Sequence, residues 1–302
     1  MIECMIRRHM GAESKEHIIP EAIGGRLITR KVCVKCNNDH CAKLDAALAD
    51  DRIMILARNH FKIPGYEDVA DKVFGRGELQ DGTKVVVNFD EANQVYAPRV
   101  LGGKNSRDNG DGTKIITWSL PEGTQPNDAL SSVRKELARH GETELSEEEV
   151  RALLTFKEVE IEKPVVDVRY KLDIYALAPA GLKIGYEFTV ETLGHDYLAD
   201  SFADEARDLI VAGIPKGEAA RAAFSYQGGG IVITPSGIPN SEHKLILVRQ
   251  GERLFVLMSL FGTFVGQYTM SNSASRYQPF TARMYTLDVL TRAANEYSVP
   301  SR

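Results

Sequence analysis

At 302 residues, with 43% apolar and 26% charged residues, the chain has an ordinary globular composition and enough length for two domains. No run of about 18 apolar residues occurs, so no membrane span is implied, and the N-terminus (Met1-Ile2-Glu3-Cys4) lacks a basic and then apolar signal region. The net charge of −5 is unevenly spread: residues 1–60 hold 10 Lys+Arg against 8 Asp+Glu, a net of +2, and the rest holds 27 against 34, a net of −7. A mildly basic first part on an acidic body suits a nucleic-acid partner that touches only that part.

All four cysteines (Cys4, Cys33, Cys36, Cys41) and three of the seven histidines (His9, His17, His40) fall within the first 41 residues. Without a secretion signal, the Cys33-x-x-Cys36 pair favours metal over a disulfide, and a reduced, cytoplasmic compartment is expected. Glu16 to Ile19 reads as a short strand that Pro20 ends, because proline removes the next ladder donor. Gly24-Gly25 is a turn signal. Leu27 to Val34 is β-branched enough for a second strand. A helix is expected from Asn38, with Cys41, Leu44 and Leu48 on its apolar face, and a second from Asp50 to Asn59.

A module of that size is too small to bury a self-sufficient core, and a metal would supply what the core cannot. Tetrahedral zinc takes four N/S ligands. Cys33 and Cys36 stand at zinc-knuckle spacing and Cys4 is a natural third ligand. Arg7 stands where a second C-x-x-C would place a cysteine, so His9 and Cys41 are both candidates for the fourth position. The alternative is that no metal binds and the cysteines are small core residues.

Glu16, His17 and Asn37 form a second constellation. Phosphodiester hydrolysis needs a base to activate water and a divalent ion to stabilise charge on the leaving oxygen. A neutral imidazole suits the first task; one carboxylate and one amide oxygen suit Mg²⁺ or Mn²⁺. On a strand, however, adjacent Glu16 and His17 leave opposite faces. The bland alternative makes His17 an ordinary strand histidine and Asn37 a helix cap.

The run Glu16-His17-Ile18-Ile19-Pro20-Glu21-Ala22-Ile23-Gly24-Gly25, followed by Val32-Cys33-Val34-Lys35-Cys36-Asn37-Asn38, closely resembles the HNH endonuclease family in its EHIIPEALGG…CxxCNN branch. Leu44-Asp45 and Leu48 also look like that branch. The resemblance covers roughly residues 1–60 and implies a ββα-metal fold. It implies His17 as general base, Glu16 and Asn37 as ligands of a catalytic Mg²⁺ or Mn²⁺, and Cys4, Cys33 and Cys36 as ligands of a structural zinc. Arg26, Arg30, Lys31 and Lys35 are the nearest candidates for phosphate contacts. Two departures stand out. Arg7 occupies the usual place of a cysteine, and Lys31 that of an asparagine that braces the loop carrying the base. His40 is an extra imidazole one turn past Asn37, expected to be exposed.

Farther along, Lys84–Phe89 and Ile115–Trp118 read as strands, with Asn109-Gly110 and Asp111-Gly112 as hairpin signals. Asn127 to Gly141 is a helix candidate, and Ser146-Glu147-Glu148-Glu149 is a capping box. Lys157 to Asp167 alternates as a strand. Leu177 to Leu193 reads as a buried apolar helix with Pro179 in its first turn, and Asp200 to Val211 as another. Lys244–Val248, Leu254–Leu260 and Val265–Met270 look like consecutive antiparallel strands. His140, His195 and His243 are scattered, and this part shows no site chemistry and no aromatic platform for single strands.

The expectation is therefore an α+β chain: a ββα-metal nuclease module over residues 1–62 and a larger α+β companion over residues 63–302. The companion would recognise a target, sense a small-molecule or protein activator, or dimerise. The resemblance implies a DNA endonuclease, and its companion domain suggests a restriction or anti-phage effector. The alternatives are a non-catalytic zinc-type nucleic-acid-binding module and an RNA-cutting toxin.

Overall fold

The structure, a computed structural model, describes residues 1–63, 73–90, 95–108, 110–111, 114–120, 124, 126–139, 146–152, 154–155, 166–168, 174–216, 229–232 and 240–300. It is a mixed α+β chain, as expected. In the first part, β1 (Ile2–Glu3) pairs antiparallel with β2 (Met10–Gly11). β3 (Glu16–His17) pairs antiparallel with β4 (Ile28–Thr29), Glu16 opposite Thr29 and His17 opposite Ile28. The chain leaves β3 through Pro20 into a 3-10 helix, Glu21–Ile23. Gly25 allows this turn to fold back on the strand, because a Cβ there would lie 1.9 Å from the Ile19 carbonyl oxygen.

The helix expected from Asn38 begins earlier. Cys33 caps α1 (Val34–Cys36) through its Sγ, which accepts from the Cys36 N–H. A cysteine does here what Ser or Asp usually does at this position. A π-helical turn, Asn37–Cys41, leads into α2 (Ala42–Ala49), and Asp51 caps α3 (Arg52–Phe61) by accepting from the Ile53 N–H.

Next come β5 (Val73–Leu79), β6 (Lys84–Asp90), β7 (Val95–Val100), β8 (Gly103–Asp108), β9 (Lys114–Ser119), α4 (Pro126–Arg139), α5 (Glu147–Ala152) and β10 (Val166–Val168). An antiparallel sheet runs in the order β10-β5-β6-β7, with Pro98 on edge strand β7. β8 and β9 pair antiparallel across the hairpin signals. The capping box forms as expected: the Ser146 N–H donates to Glu149 Oε2 at 2.7 Å and the Glu149 N–H to Ser146 Oγ at 3.3 Å. Leu130, Val133 and Val150 pack with Trp118 in a small core. The expected helix end at Gly141 and residues 157–165 of the expected strand lie outside the described residues.

The chain continues through α6 (Ile174–Leu193), α7 (Ser201–Ala212), β11 (Gly229–Val232), β12 (Glu242–Gln250), β13 (Arg253–Leu260), β14 (Phe264–Ser271), β15 (Ala282–Asp288) and β16 (Ala294–Val299). These strands form an antiparallel sheet in the order β11-β14-β13-β12-β15-β16. The three consecutive strands expected from the sequence are β12 to β14. β16 gives no alternation to read, since every residue in it is exposed. α6 starts before Leu177, which leaves Pro179 inside the helix. No helix among the described residues is long and apolar enough to cross a membrane.

Two compact units emerge: Met1–Ala70 together with Leu172–Arg302, and Asp71–Lys171. The expected division into residues 1–62 and 63–302 cuts the chain differently. The reason is the core: Ile18, Leu44, Leu48 and Met54 belong to the same buried cluster as Leu182, Tyr186, Val190, Leu245 and Met258. The first 63 residues bury their apolar surface against α6 and the large sheet.

One buried side chain joins sheet and turn. His243 of β12 is fully buried, its ring edge-on to Phe261, and its Nε2–H donates to the Ile23 carbonyl at 2.8 Å. Burial pushes its pKa down to about 4, from an ordinary value of about 6.5. Between these values the unfolded chain binds the proton and the folded chain does not. The stability that depends on neutral His243 is complete above about pH 6.5 and is lost as pH falls toward about 4. Denaturant titrations across this window should show wild type losing roughly 3 kcal/mol more than His243→Phe. Parallel pH profiles for the two proteins would contradict this account.

Candidate functional site

Three of the four thiols converge. The Sγ atoms of Cys4, Cys33 and Cys36 lie within 4.8 Å of one another, all buried. Cys4 comes from the loop after β1, whereas Cys33 and Cys36 flank and end α1. Backbone donors point at the sulfurs: the Cys33 N–H to Cys4 Sγ and the Cys36 N–H to Cys33 Sγ, each at 3.4 Å. Burial opposes ionisation of Cys33, but the Cys36 N–H and its other donors outweigh it and draw the thiol below its usual range. Cys36 is pushed well up by burial and then by neighbouring Cys4. Such closely packed sulfurs cannot all be thiolates without a cation.

His9, carried toward the cluster by the hairpin from β1 to β2, brings its Nε2 within 3.4 Å of Cys33 Sγ. The approach is tight: a Cβ on Gly11 would lie 2.6 Å from Cys33 Cβ and 3.7 Å from His9 Nε2. Cys41 is elsewhere. Its thiol is buried and donates to Glu187 Oε1 at 3.6 Å, so it is no candidate for completing this cluster.

His17 and Glu16 diverge, as strand alternation requires. The His17 side chain is 16% exposed and its Nδ1 lies 3.9 Å from Glu21 Oε2. Burial lowers its pKa, with Glu21 opposing, so the imidazole is neutral near pH 7. Asn37 opens the π-helical turn, and its amide N–H groups reach Ser14 Oγ at 3.3 Å and the Lys15 carbonyl at 3.4 Å. Those contacts aim the amide and place its oxygen on the other side.

Glu16 turns inward. Its carboxylate, 3% exposed, lies 2.5 Å from the Lys183 ammonium of α6. The same ammonium donates to Asp45 Oδ1 and to the His17 carbonyl, both at 2.9 Å, and lies 3.3 Å from Glu187 Oε2. Burial disfavours the charge on Lys183, but the carboxylates around it hold its pKa well above the ordinary value. Burial raises Asp45 to about 6 and Glu187 well above the carboxylate range. Glu16 and Asn37, expected to share a cation, are not joined by any contact among the described residues. A carboxylate already facing an ammonium is a poor ligand for Mg²⁺.

The basic residues also separate. Arg26 is exposed. Arg30 and Lys35 are exposed in surface ion pairs with Glu13 and Asp39, which cost little to open. Lys31 faces α6 instead, 3.2 Å from Glu191 and 3.4 Å from the Val190 carbonyl. His40 is half-buried against the Val211 carbonyl of α7 rather than exposed.

Sequence reasoning missed Lys183, Glu187 and Tyr186, all on a helix read only as apolar. Their signal was a polar set at three- and four-residue spacing, Lys183, Tyr186, Glu187 and Glu191, along one stripe of that helix.

Residues 4–52 match the family described as HNH endonuclease. No curated protein and no solved structure matches the chain.

The geometry predicts that the two sets of thiols separate on substitution. Cys33→Ser should abolish bound metal, whereas Cys41→Ser, which keeps a donor to Glu187, should retain it, as read by elemental analysis per chain. Equal metal contents in the two variants would contradict the assignment.

Proposed function

We propose that the chain's HNH endonuclease-type module, residues 4–52, hydrolyses phosphodiester bonds of DNA, with His17 as the base that activates water. The observation that carries this reading is a neutral, partly exposed imidazole in a segment that matches a nuclease family. Nδ1 of His17 faces Glu21, which favours the tautomer whose Nε2 lone pair is free to take a proton. To Asn37, whose amide is held by Ser14 Oγ and the Lys15 carbonyl, we assign the role of orienting water or a phosphate-bound cation through Oδ1. Arg26, Arg30 and Lys35 supply positive charge for the nucleic-acid backbone.

A divalent cation bound at such a site offsets charge on the leaving oxygen. Glu16, in its pairing with Lys183, does not fit the role of its ligand, so no step is assigned to the ion. For the thiol cluster we infer zinc. Cys4, Cys33, Cys36 and His9 make a three-sulfur, one-nitrogen donor set of the kind that structural zinc takes. His9 then stands in for the absent cysteine at Arg7.

A second reading is favoured by the engagement of Glu16: a metal-held module that binds nucleic acid without cutting it. Purified protein incubated with supercoiled plasmid, and in parallel with RNA, in Mg²⁺ or Mn²⁺ separates the two. The nuclease reading expects plasmid nicking that falls by ~100-fold or more in His17→Ala, with binding and metal content kept. Plasmid retention without nicking by wild type supports the binder; equal nicking by His17→Ala removes His17 from the chemistry; cutting of RNA alone moves the substrate class.

A further inference from the structure

We propose that Lys183 is a positioning residue for the His17 imidazole, an inference that rests on the nuclease reading above. β3 is only two residues long, and its ladder to β4 consists of the pairs Glu16–Thr29 and His17–Ile28. So short a ladder does not by itself hold a side chain to the few tenths of an ångström that proton transfer requires.

Lys183 supplies the missing hold at two successive residues. Its ammonium meets the Glu16 carboxylate at 2.5 Å and donates to the His17 carbonyl at 2.9 Å. The second contact fixes the peptide plane that leaves His17, and hence the direction of its Cα–Cβ bond. The first anchors the residue before it on the opposite face. Asp45 of α2, at 2.9 Å, and Glu187, one turn along α6 at 3.3 Å, hold the ammonium in turn. An ammonium has three protons to donate, so these oxygens leave it no freedom to swing away.

The same stripe of α6 secures the other strand. Glu191 accepts from Thr29 Oγ1 at 2.9 Å, and Thr29 stands opposite Glu16 in the ladder. Tyr186 Oη donates to the Met5 carbonyl at 2.5 Å, beside the thiol cluster. The hairpin that carries His17 is therefore registered on one helix, with Lys183 at the point of contact with the base-bearing residue. Lys183 itself is fully buried and reaches no substrate, so its effect on the reaction passes through His17.

The test uses the full-length protein and two variants. Lys183→Met removes the ammonium; Lys183→Met combined with Glu16→Gln also removes the charge of the nearest of the three carboxylates that would lose their partner. Hydrogen exchange is followed at the Ile18 amide, which donates to the Leu27 carbonyl across the hairpin, against the Arg249 amide of β12, which donates to the Thr281 carbonyl. Plasmid nicking is measured with kcat and KM separated. The proposal expects Ile18 exchange faster by ~10-fold or more with Arg249 unchanged, and kcat lower by ~30-fold or more with KM within about twofold, in the charge-neutral double variant. A residue that served only stability would give back full kcat once that variant is folded. Ile18 exchange and kcat both at wild-type values in the double variant would overturn the proposal. A wild type that cuts neither DNA nor RNA overturns the nuclease reading, whereas an unchanged Ile18 rate overturns the hold on β3 whether or not the protein cuts. Should both variants unfold, the wild type still decides: a slowly exchanging Lys183 ammonium resonance is expected, and a rapidly exchanging one contradicts the clamp.

Discussion

The structure of the first unit turns on one ammonium. Lys183 lies at 0% exposure among Glu16, Asp45 and Glu187. Removing such ions from water costs several kcal/mol each, and close geometry must return it. Once formed, the arrangement allows little latitude. If α6 slid by a turn or rotated, it would leave a carboxylate of β3 or α2 buried without its partner. A strand and a helix 166 residues apart in sequence are thus locked in one register.

That constraint explains why the N-terminal segment is not a free-standing module in this chain. Its strands have two residues each and three of its four thiols gather in one cluster. Its apolar residues are completed by α6 and by the sheet of β12 to β14. His243 reaches from that sheet to the turn after β3, and Tyr186 reaches from α6 to the loop after β1. The segment Asp71–Lys171 forms its own compact unit between the two parts of the chain that share a core. Thiol cluster and helix divide the work: the cluster of Cys4, Cys33 and Cys36, with His9, joins the segments around β1, β2 and α1, and α6 ties β3, β4 and α2.

Much of this was legible in the residues themselves. Pro20 and the Gly24-Gly25 pair marked the hairpin, Ser146 and Glu149 the cap of α5, and crowding of cysteines before residue 42 the metal-type cluster. Strand alternation already said that Glu16 and His17 point apart; the family resemblance pulled them back together, and the structure sides with the alternation. The early start of α1 was hidden because a thiol, rather than a hydroxyl or carboxylate, accepts at its cap. His9 could be named only as a candidate, since a hairpin and not a spacing brings it to Cys33. Lys183 was the hardest to read. An apolar helix with Lys183, Glu187 and Glu191 at four-residue intervals announces a polar stripe, but no local period says that its partners lie in the first 50 residues.

The central claim is that α6 completes the nuclease-like module through Lys183. The most direct measurement is the folding of residues 1–63 alone, with zinc present, followed by backbone amide spectra. The account predicts poorly dispersed resonances for β3 and α2 and no protected Ile18 amide in the fragment. A fragment with well-dispersed spectra, a protected Ile18 amide and a cooperative thermal transition would contradict it.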